Sequence, residues 1–266
     1  MNSTEVSNYI TKLKHSQEKV YSNCFMQFNK EQDWETLTSS KSLCIIKREY
    51  GANRLWFYTI DFDDLNFLIR NCLDSNDEFI VDILTKEKTF LKKNIEQLGF
   101  VEYTKMMRLS CSDISLSMNN NSEIQRYYNP NIGIKAGLDD AVDVFKKMWE
   151  IFDTRISHLQ TIDELKESIR RGEIYIQRNN NGEVAAFLQR ILEPKRFYIN
   201  QIYNGMQKEI IHAILLNELR KYNNNGGKYV YAWVEEKNIA SHKFHEKYGL
   251  KHDGLWNVVY RIKGIC

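Results

Sequence analysis

The residue types able to do chemistry gather in one stretch, "EEKNIASHKFHEKYGLKHDG", residues 235–254. It holds two carboxylates (Glu235, Glu236), histidines three apart (His242, His245), Tyr248 and Gly249. An imidazole exchanges a proton near neutral pH, so His245 is a candidate general acid, with Tyr248 behind it. Glu235 is a candidate acceptor of an amine proton, as are Glu236 and Glu193. Each has a plainer reading: His245 as a half-buried helix residue, Tyr248 as packing before a glycine, the carboxylates as solvated charges. Asn238 is placed to cap a helix N-terminus, and a cap can also face a ligand. His242 and His245 could share a metal, but no further ligands stand at a recognisable spacing, so no metal is expected.

The elements around this stretch read cleanly from residue 131 onward. "NIGIKA" predicts a short strand. "LDDAVDVFKKMWEIFDTRI" carries Val142, Phe145, Met148, Trp149 and Phe152 at helical spacing. "TIDELKESIRR" opens on a capping box, Thr161 with Glu164. "EIYIQR", "EVAAFLQRIL" and "RFYINQIYN" read as strands, the first two joined through an Asn-Gly turn. "MQKEIIHAILLNELRKY" predicts an amphipathic helix with Ile210, Ile211, Ile214, Leu215 and Leu219 on one side. "KYVYAWVEE" is a strand, residues 238–248 a short helix, and "DGLWNVVYRI" the last strand. This order makes a mixed α/β sheet with helices on both faces.

The first half ends the same way: strand "RLWFYTI", helix "DFDDLNFLIRNCL" capped by Asp61, strand "EFIVDIL", helix "KEKTFLKKNIEQL", Gly99, strand "FVEYTKMMRL". Residues 78–100 lie on 228–250 without a gap, matching Gly99 to Gly249, Glu96 to Glu246 and Lys93 to Lys243. We read an internal duplication. The polar, asparagine-rich stretch "CSDISLSMNNNSEIQRYYNPN" marks the break, giving a first domain at 1–115, a linker at 116–130 and a second domain at 131–266.

The segment Asn238–Leu250 resembles the GCN5-related N-acetyltransferase (GNAT) family, whose pattern there is an Asn, an Ala two positions on, an aromatic four before a Gly, and a Phe. Asn238, Ala240, Gly249 and Leu250 fit, and His245 stands at the aromatic position. The resemblance implies two tandem GNAT-like acyl-CoA N-acyltransferase folds, the first degenerate. It implies acetyl-CoA or another acyl-CoA as co-substrate, inserted like an extra strand where two neighbouring strands splay. Its pyrophosphate would lie at the start of the long helix, on Gly205, Met206, Gln207 and Lys208, with Asn238, Ala240 and Lys243 also at the cofactor. The family's Gln/Arg, Gly and Gly/Ala positions fall on Gln207, Ile210 and His212, so both small residues are absent. By the same analogy His245 or Tyr248 protonates the departing thiolate. Backbone N–H groups near Ile202 and Tyr203 polarise the thioester carbonyl. Trp149, Phe152, Arg155 and Tyr198 lie toward the acceptor. In the first half Lys88 and Ile95 replace Asn238 and His245, and Asp61, Asp63 and Asp64 would repel a pyrophosphate.

The expected activity is therefore acyl transfer from CoA to a primary amine, on a small molecule or a peptide. Two other classes stay open: a non-catalytic binding or dimerisation module of the same fold, and an aminoacyl transferase using charged tRNA. A net charge of +2 gives no field for nucleic acid or an anionic membrane. No apolar run nears the roughly 20 residues that span a bilayer, and the polar first 20 residues lack a secretory apolar core. Five cysteines, an odd number without a CxxC pair, read as reduced thiols in a cytoplasmic protein. Cys44 and Cys72 fall in apolar runs that read as core. A homodimer is left open.

Overall fold

The computed structural model describes residues 1–24, 34–49, 52–71, 78–119, 121–193 and 195–263. The chain forms two compact units. The first comprises Met1–Met106, Thr154–Ile156 and Leu255–Cys266, and the second Met107–Asp153 and Ser157–Gly254.

The first unit opens with α1 (Ser3–Lys14), started by a capping box between Asn2 and Glu5. Its Val6 and Ile10 pack on Leu43, Ile45 and Trp56. Then come β1 (Tyr21–Ser22), β2 (Glu35–Thr38), β3 (Ser42–Glu49), β4 (Ala52–Thr59), α2 (Phe62–Arg70), β5 (Glu78–Thr85) and α3 (Lys92–Gln97). The strands β2, β3 and β4 pair antiparallel. β4 meets β5 in parallel at Asn53–Phe79 and Arg54–Ile80. Asp61 caps α2 as expected, accepting from the N–H groups of Asp63 and Asp64. The helix expected over "KEKTFLKKNIEQL" is shorter: it begins after Leu91, whose φ is +59°.

β6 (Val101–Cys111) runs from the first unit into the second. There follow α4 (Ile114–Asn119), α5 (Ser122–Gln125), β7 (Ile134–Lys135), a 3-10 turn at Leu138–Asp140, α6 (Ala141–Ile151) and α7 (Ile162–Arg170). The rest is β8 (Ile174–Arg178), β9 (Val184–Glu193), β10 (Arg196–Asn204), α8 (Lys208–Asn224), β11 (Tyr229–Glu235), α9 (Ile239–Glu246) and β12 (Lys251–Lys263). The second unit's strands run in the order β6-β11-β10-β9-β8-β7. The Thr161–Glu164 capping box and the Asn-Gly hairpin between β8 and β9 form as predicted.

Three expectations are corrected. Residues 116–130 are not a linker, because α4 and α5 lie there within the second unit, with Ile114, Met118 and Ile124 in its core. The last strand does not complete a domain at 131–266: from Leu255 it belongs to the first unit, pairing antiparallel with β5 from Trp256–Thr85 to Lys263–Glu78. The second unit instead has β6 beside β11. Two copies of one fold present similar strand edges, so exchanging closing strands leaves each ladder complete. Finally, α8 is not amphipathic. Every residue from Ile211 to Leu219 is buried, including His212, Asn217 and Glu218, so helix packing surrounds it where periodicity alone placed one apolar side.

The duplication is visible in local geometry. Gly99 and Gly249 follow α3 and α9 with φ of +92° and +76°. In both, the next residue returns a hydrogen bond to the helix: Phe100 N–H to Ile95 O and Leu250 N–H to His245 O, each 3.3 Å. This left-handed helix ending favours glycine. Cys44 is buried, while Cys72 lies outside the described residues.

Candidate functional site

The second unit contains a parting between parallel strands. β10 and β11 pair from Arg196–Tyr229 to Ile199–Ala232, and the register ends there. β10 continues against β9 as far as Asn204–Ala186, with a bulge that leaves Asn200 opposite no partner. A bulge bends its strand and sharpens its twist, which carries residues 200–204 away from β11. Among the described residues, those main-chain groups have no strand partner on the β11 side. Past the bulge, Ile202 packs with the α8-side core and Tyr203 with the opposite one, 5.7 Å from the ring of Phe187.

The first unit has the same parting, and its own chain fills it. β4 and β5 separate after Arg54–Ile80, and β1 pairs with β4 at Tyr21–Thr59 and Ser22–Tyr58. The next residue, Asn23, bridges both strands with its side-chain amide. Its Nδ2 donates to Leu55 O (3.0 Å) and Asp82 O (3.3 Å), and its Oδ1 accepts from Phe57 N–H (2.7 Å). In the first unit the gap thus holds an extended segment and a side-chain amide. Neither β1 nor Asn23 was singled out from the sequence, since two residues of strand carry no periodicity.

The N-terminus of α8 lies next to the second unit's parting. Gln207 occupies the N-cap without a side-chain hydrogen bond, and Gly205, Gln207, Lys208 and Glu209 are exposed. Asn204 holds the approach, its Nδ2 donating to Met206 O at 3.1 Å. A side chain at Gly205 would meet the ring of Tyr203, so this glycine answers to internal packing. His212, standing where the family has a small residue, turns away from the helix start. Its ring stacks between Tyr127 (4.5 Å) and Phe244 (4.7 Å), and its Nδ1 lies 2.8 Å from the hydroxyl of Tyr248. Tyr127 comes from the stretch expected to be a linker; the doubled tyrosine "RYY" was its one sequence signal.

On α9, Asn238 caps the helix by accepting from Ser241 N–H, 3.0 Å, and Asn238, Ala240 and Lys243 are exposed. His242 donates from Nε2 to Glu235 O at 3.1 Å. The two candidate acids are held otherwise. His245 is 5% exposed and its Nδ1–H donates to Ser241 O at 2.8 Å, which makes Nε2 an acceptor, and Nε2 has no partner. Burial lowers its pKa to about 4, so it is neutral at pH 7. Tyr248 is fully buried, its hydroxyl bonded to His212 and its pKa driven up by burial. Neither is arranged to release a proton near neutrality.

The acceptor candidates are not gathered in one place. Trp149 and Phe152 line the α6 side, against Phe145 and Phe187. Arg155 belongs to the first unit, where its Nε donates to Glu78 at 2.8 Å. Tyr198 stacks flat on Tyr231, ring centroids 4.7 Å apart. The signal missed here is a run of amides on the sheet: Asn200 donates to Gln189, and Gln189 to Gln160. Directly opposite Gln189, Gln201 is 6% exposed with its Oε1 unpartnered.

No family model and no curated protein matches the sequence. Solved structures do share the fold. A GCN5-related N-acetyltransferase from Sphaerobacter thermophilus is 12% identical, with a TM-score of 0.57 over 88% of this chain and 82% of that one. A tandem GNAT protein from the clavulanic acid biosynthesis pathway is 9% identical, with 0.55 over 85% and 80%. A GNAT-family protein from Novosphingobium aromaticivorans is 9% identical, with 0.52 over 86% and 92%. The chain thus has the GNAT acyltransferase fold in tandem arrangement, a statement about architecture that leaves activity to the site. No helix among the described residues is long and apolar enough to cross a membrane.

Proposed function

We propose that the second unit transfers an acyl group from acyl-CoA to a primary amine. One observation carries the reading: β10 leaves β11 after Ile199–Ala232, and from the Asn200 bulge onward its β11-side edge has no strand partner among the described residues. The first unit supports the fit, because its equivalent gap is filled by an extended segment and the amide of Asn23. An acyl-CoA would supply an activated thioester together with an arm of amides. Main-chain groups of residues 200–204 would pair with that arm as a strand would. Gly205, Met206, Gln207 and Lys208 would receive the pyrophosphate on the uncapped start of α8, where partial positive charge collects. Asn238, Ala240 and Lys243 would offer an exposed flank, and the N–H of Ile202 would polarise the acyl carbonyl, since the register with β9 turns the Tyr203 N–H the other way.

Within this reading His245 positions ligand through a fixed acceptor at Nε2 and delivers no proton. Gln201 and Asn200 take the place of the acceptor-side residues first expected. Deprotonation of the amine falls to Glu235 or to solvent. A soluble, cytoplasmic setting would suit this chemistry.

A second reading, a binding module without catalysis, is favoured by the burial of both His245 and Tyr248. Calorimetry with acetyl-CoA and with CoA, followed by thiol release in the presence of an amine panel, separates the two. Micromolar binding, weakened at least tenfold by Asn238→Lys, with thiol release supports the transferase. Binding without release, or no binding to either ligand, ends the transferase reading and supports the module.

A further inference from the structure

A second candidate site lies at the opposite end of α8. Seventeen residues at about 1.5 Å each separate the parting from this end by about 25 Å. Here a cavity of about 540 Å³ is lined by the end of β9, the start of β10, the last turns of α8 and the turn into β11. That volume is in the range of small-molecule sites.

Its floor is built around Arg190. The guanidinium donates from Nε to Glu218 at 3.0 Å and from Nη2 to the hydroxyl of Tyr175 at 3.0 Å. It also lies 5.3 Å from the Tyr175 ring centre and 5.7 Å from that of Phe197. Nη1 has no partner among the described residues, so a rigidly held arginine offers a free edge to the cavity. Glu218, 2% exposed, is satisfied by Arg190 and by Lys221 at 2.6 Å. Lys195, without an acidic partner among the described residues, and Lys228, whose Nζ lies 3.8 Å from Asp113 outside the lining, complete the charged residues of the cavity. Four cations thus face two carboxylates, Glu193 and Glu218.

The far wall is fixed. The N–H groups of Asn225, Gly226 and Gly227 return to carbonyls of the last turn of α8, which turns those acceptors away from a ligand. Any side chain at Gly227 would strike the Tyr222 ring. Leu192 and Tyr229 add apolar surface.

We propose that this cavity binds a small organic phosphate. The phosphate would lie between Arg190 and the ammonium groups of Lys195 and Lys228, and its carbon body would lie against Leu192 and Tyr229. Arginine held by its own carboxylate is preorganised for an oxyanion. Several lysines favour a doubly charged group over a carboxylate. The volume exceeds what inorganic phosphate fills.

The test is calorimetry on the full chain at constant ionic strength with phenyl phosphate, inorganic phosphate and benzoate. Phenyl phosphate is expected to bind at least about tenfold more tightly than either control. Lys195→Gln with Lys228→Gln, both surface changes, is expected to weaken it by about tenfold, and Arg190→Gln by more. Asn238→Lys is expected to leave this binding unchanged while impairing acetyl-CoA binding, so the two sites are judged separately. Absent phenyl phosphate binding, binding indifferent to the lysine pair, or benzoate binding equally well each overturns the proposal.

Discussion

His212 in the first turns of α8 and Tyr248 just after α9 are joined by a 2.8 Å contact between Nδ1 and hydroxyl, and the same hydroxyl lies 3.2 Å from His212 O. With Tyr127 and Phe244 stacked on either side of the imidazole, this pair ties the two helices that flank the parting. His212→Ala removes a buried ring and leaves the tyrosine hydroxyl short of a partner. It is expected to cost about 2–4 kcal/mol in urea unfolding. Tyr248→Phe, which keeps the packing, is expected to cost about 1 kcal/mol. Equal losses would refute the ranking.

Stability depends on pH through the same region. His245 and His212 ionise at the ordinary 6.5 when unfolded and near 4 when folded, because burial penalises the charged ring. The unfolded chain then binds more protons between these values, so the stabilisation is complete above pH 6.5 and drains away as pH falls toward 4. His245 alone contributes roughly 2–4 kcal/mol to that loss. Unfolding midpoints at pH 7 and pH 4.5 for wild type and His245→Leu measure it: the variant is expected to show the smaller drop.

The same histidine sets a kinetic expectation. If turnover is found, His245→Gln, which can still offer an acceptor, is expected to leave the shape of the pH–rate profile near neutrality unchanged. A general acid at this position would shift or erase a limb of that profile. Such a shift would restore His245 to the role its place in the motif suggests.

In the first unit, Arg54 is fully buried. It donates to Asp82 at 2.7 Å, to Glu49 at 3.2 Å and to Thr154 O at 3.0 Å. Asp82 also accepts from Asn257 on β12 at 2.8 Å. Arg54→Ala would leave a buried carboxylate uncompensated and is expected to cost about 3–5 kcal/mol. Lys41→Ala, which breaks the exposed pair with Asp61, is expected to leave the unfolding transition almost unmoved. Chemical denaturation of the two variants checks the contrast.

Gly99 and Gly249 hold equivalent left-handed positions in unequal surroundings. A Cβ at Gly99 would approach Ile262 at 3.2 Å, whereas at Gly249 it would run into Ser117, with the Cβ at 2.9 Å. Gly99→Ala is expected to cost about 1–2 kcal/mol from backbone strain. Gly249→Ala is expected to cost more, because α4 must also shift. Thermal midpoints of the two variants test the order.

Much of this architecture was legible in the residues. Caps at Asp61, Thr161 and Asn238, the hairpin at Asn-Gly and the paired glycines are short-range features, in which a side chain meets backbone a few positions away. The candidate site was legible only as a location. Asn238 and His245 were named, but the direction of the His245 proton depends on the Ser241 carbonyl one turn earlier, and its low basicity on atoms packed from elsewhere in the unit. Tyr127 and Asn23 escaped because their partners lie on other elements, far away in the chain, and Gln201 because only the strand register sets it opposite Gln189.

Local physics in the sequence thus determined the kinds and order of elements from Arg54 to Leu109 and from residue 131 onward, the repeat and the turn chemistry. The tertiary structure decided which unit received β12, where β10 leaves β11, and that the middle of α8, from Ile211 to Leu219, is enclosed on all sides. These are outcomes of competition between similar strand edges and of long-range packing, and no window of neighbouring residues contains both competitors.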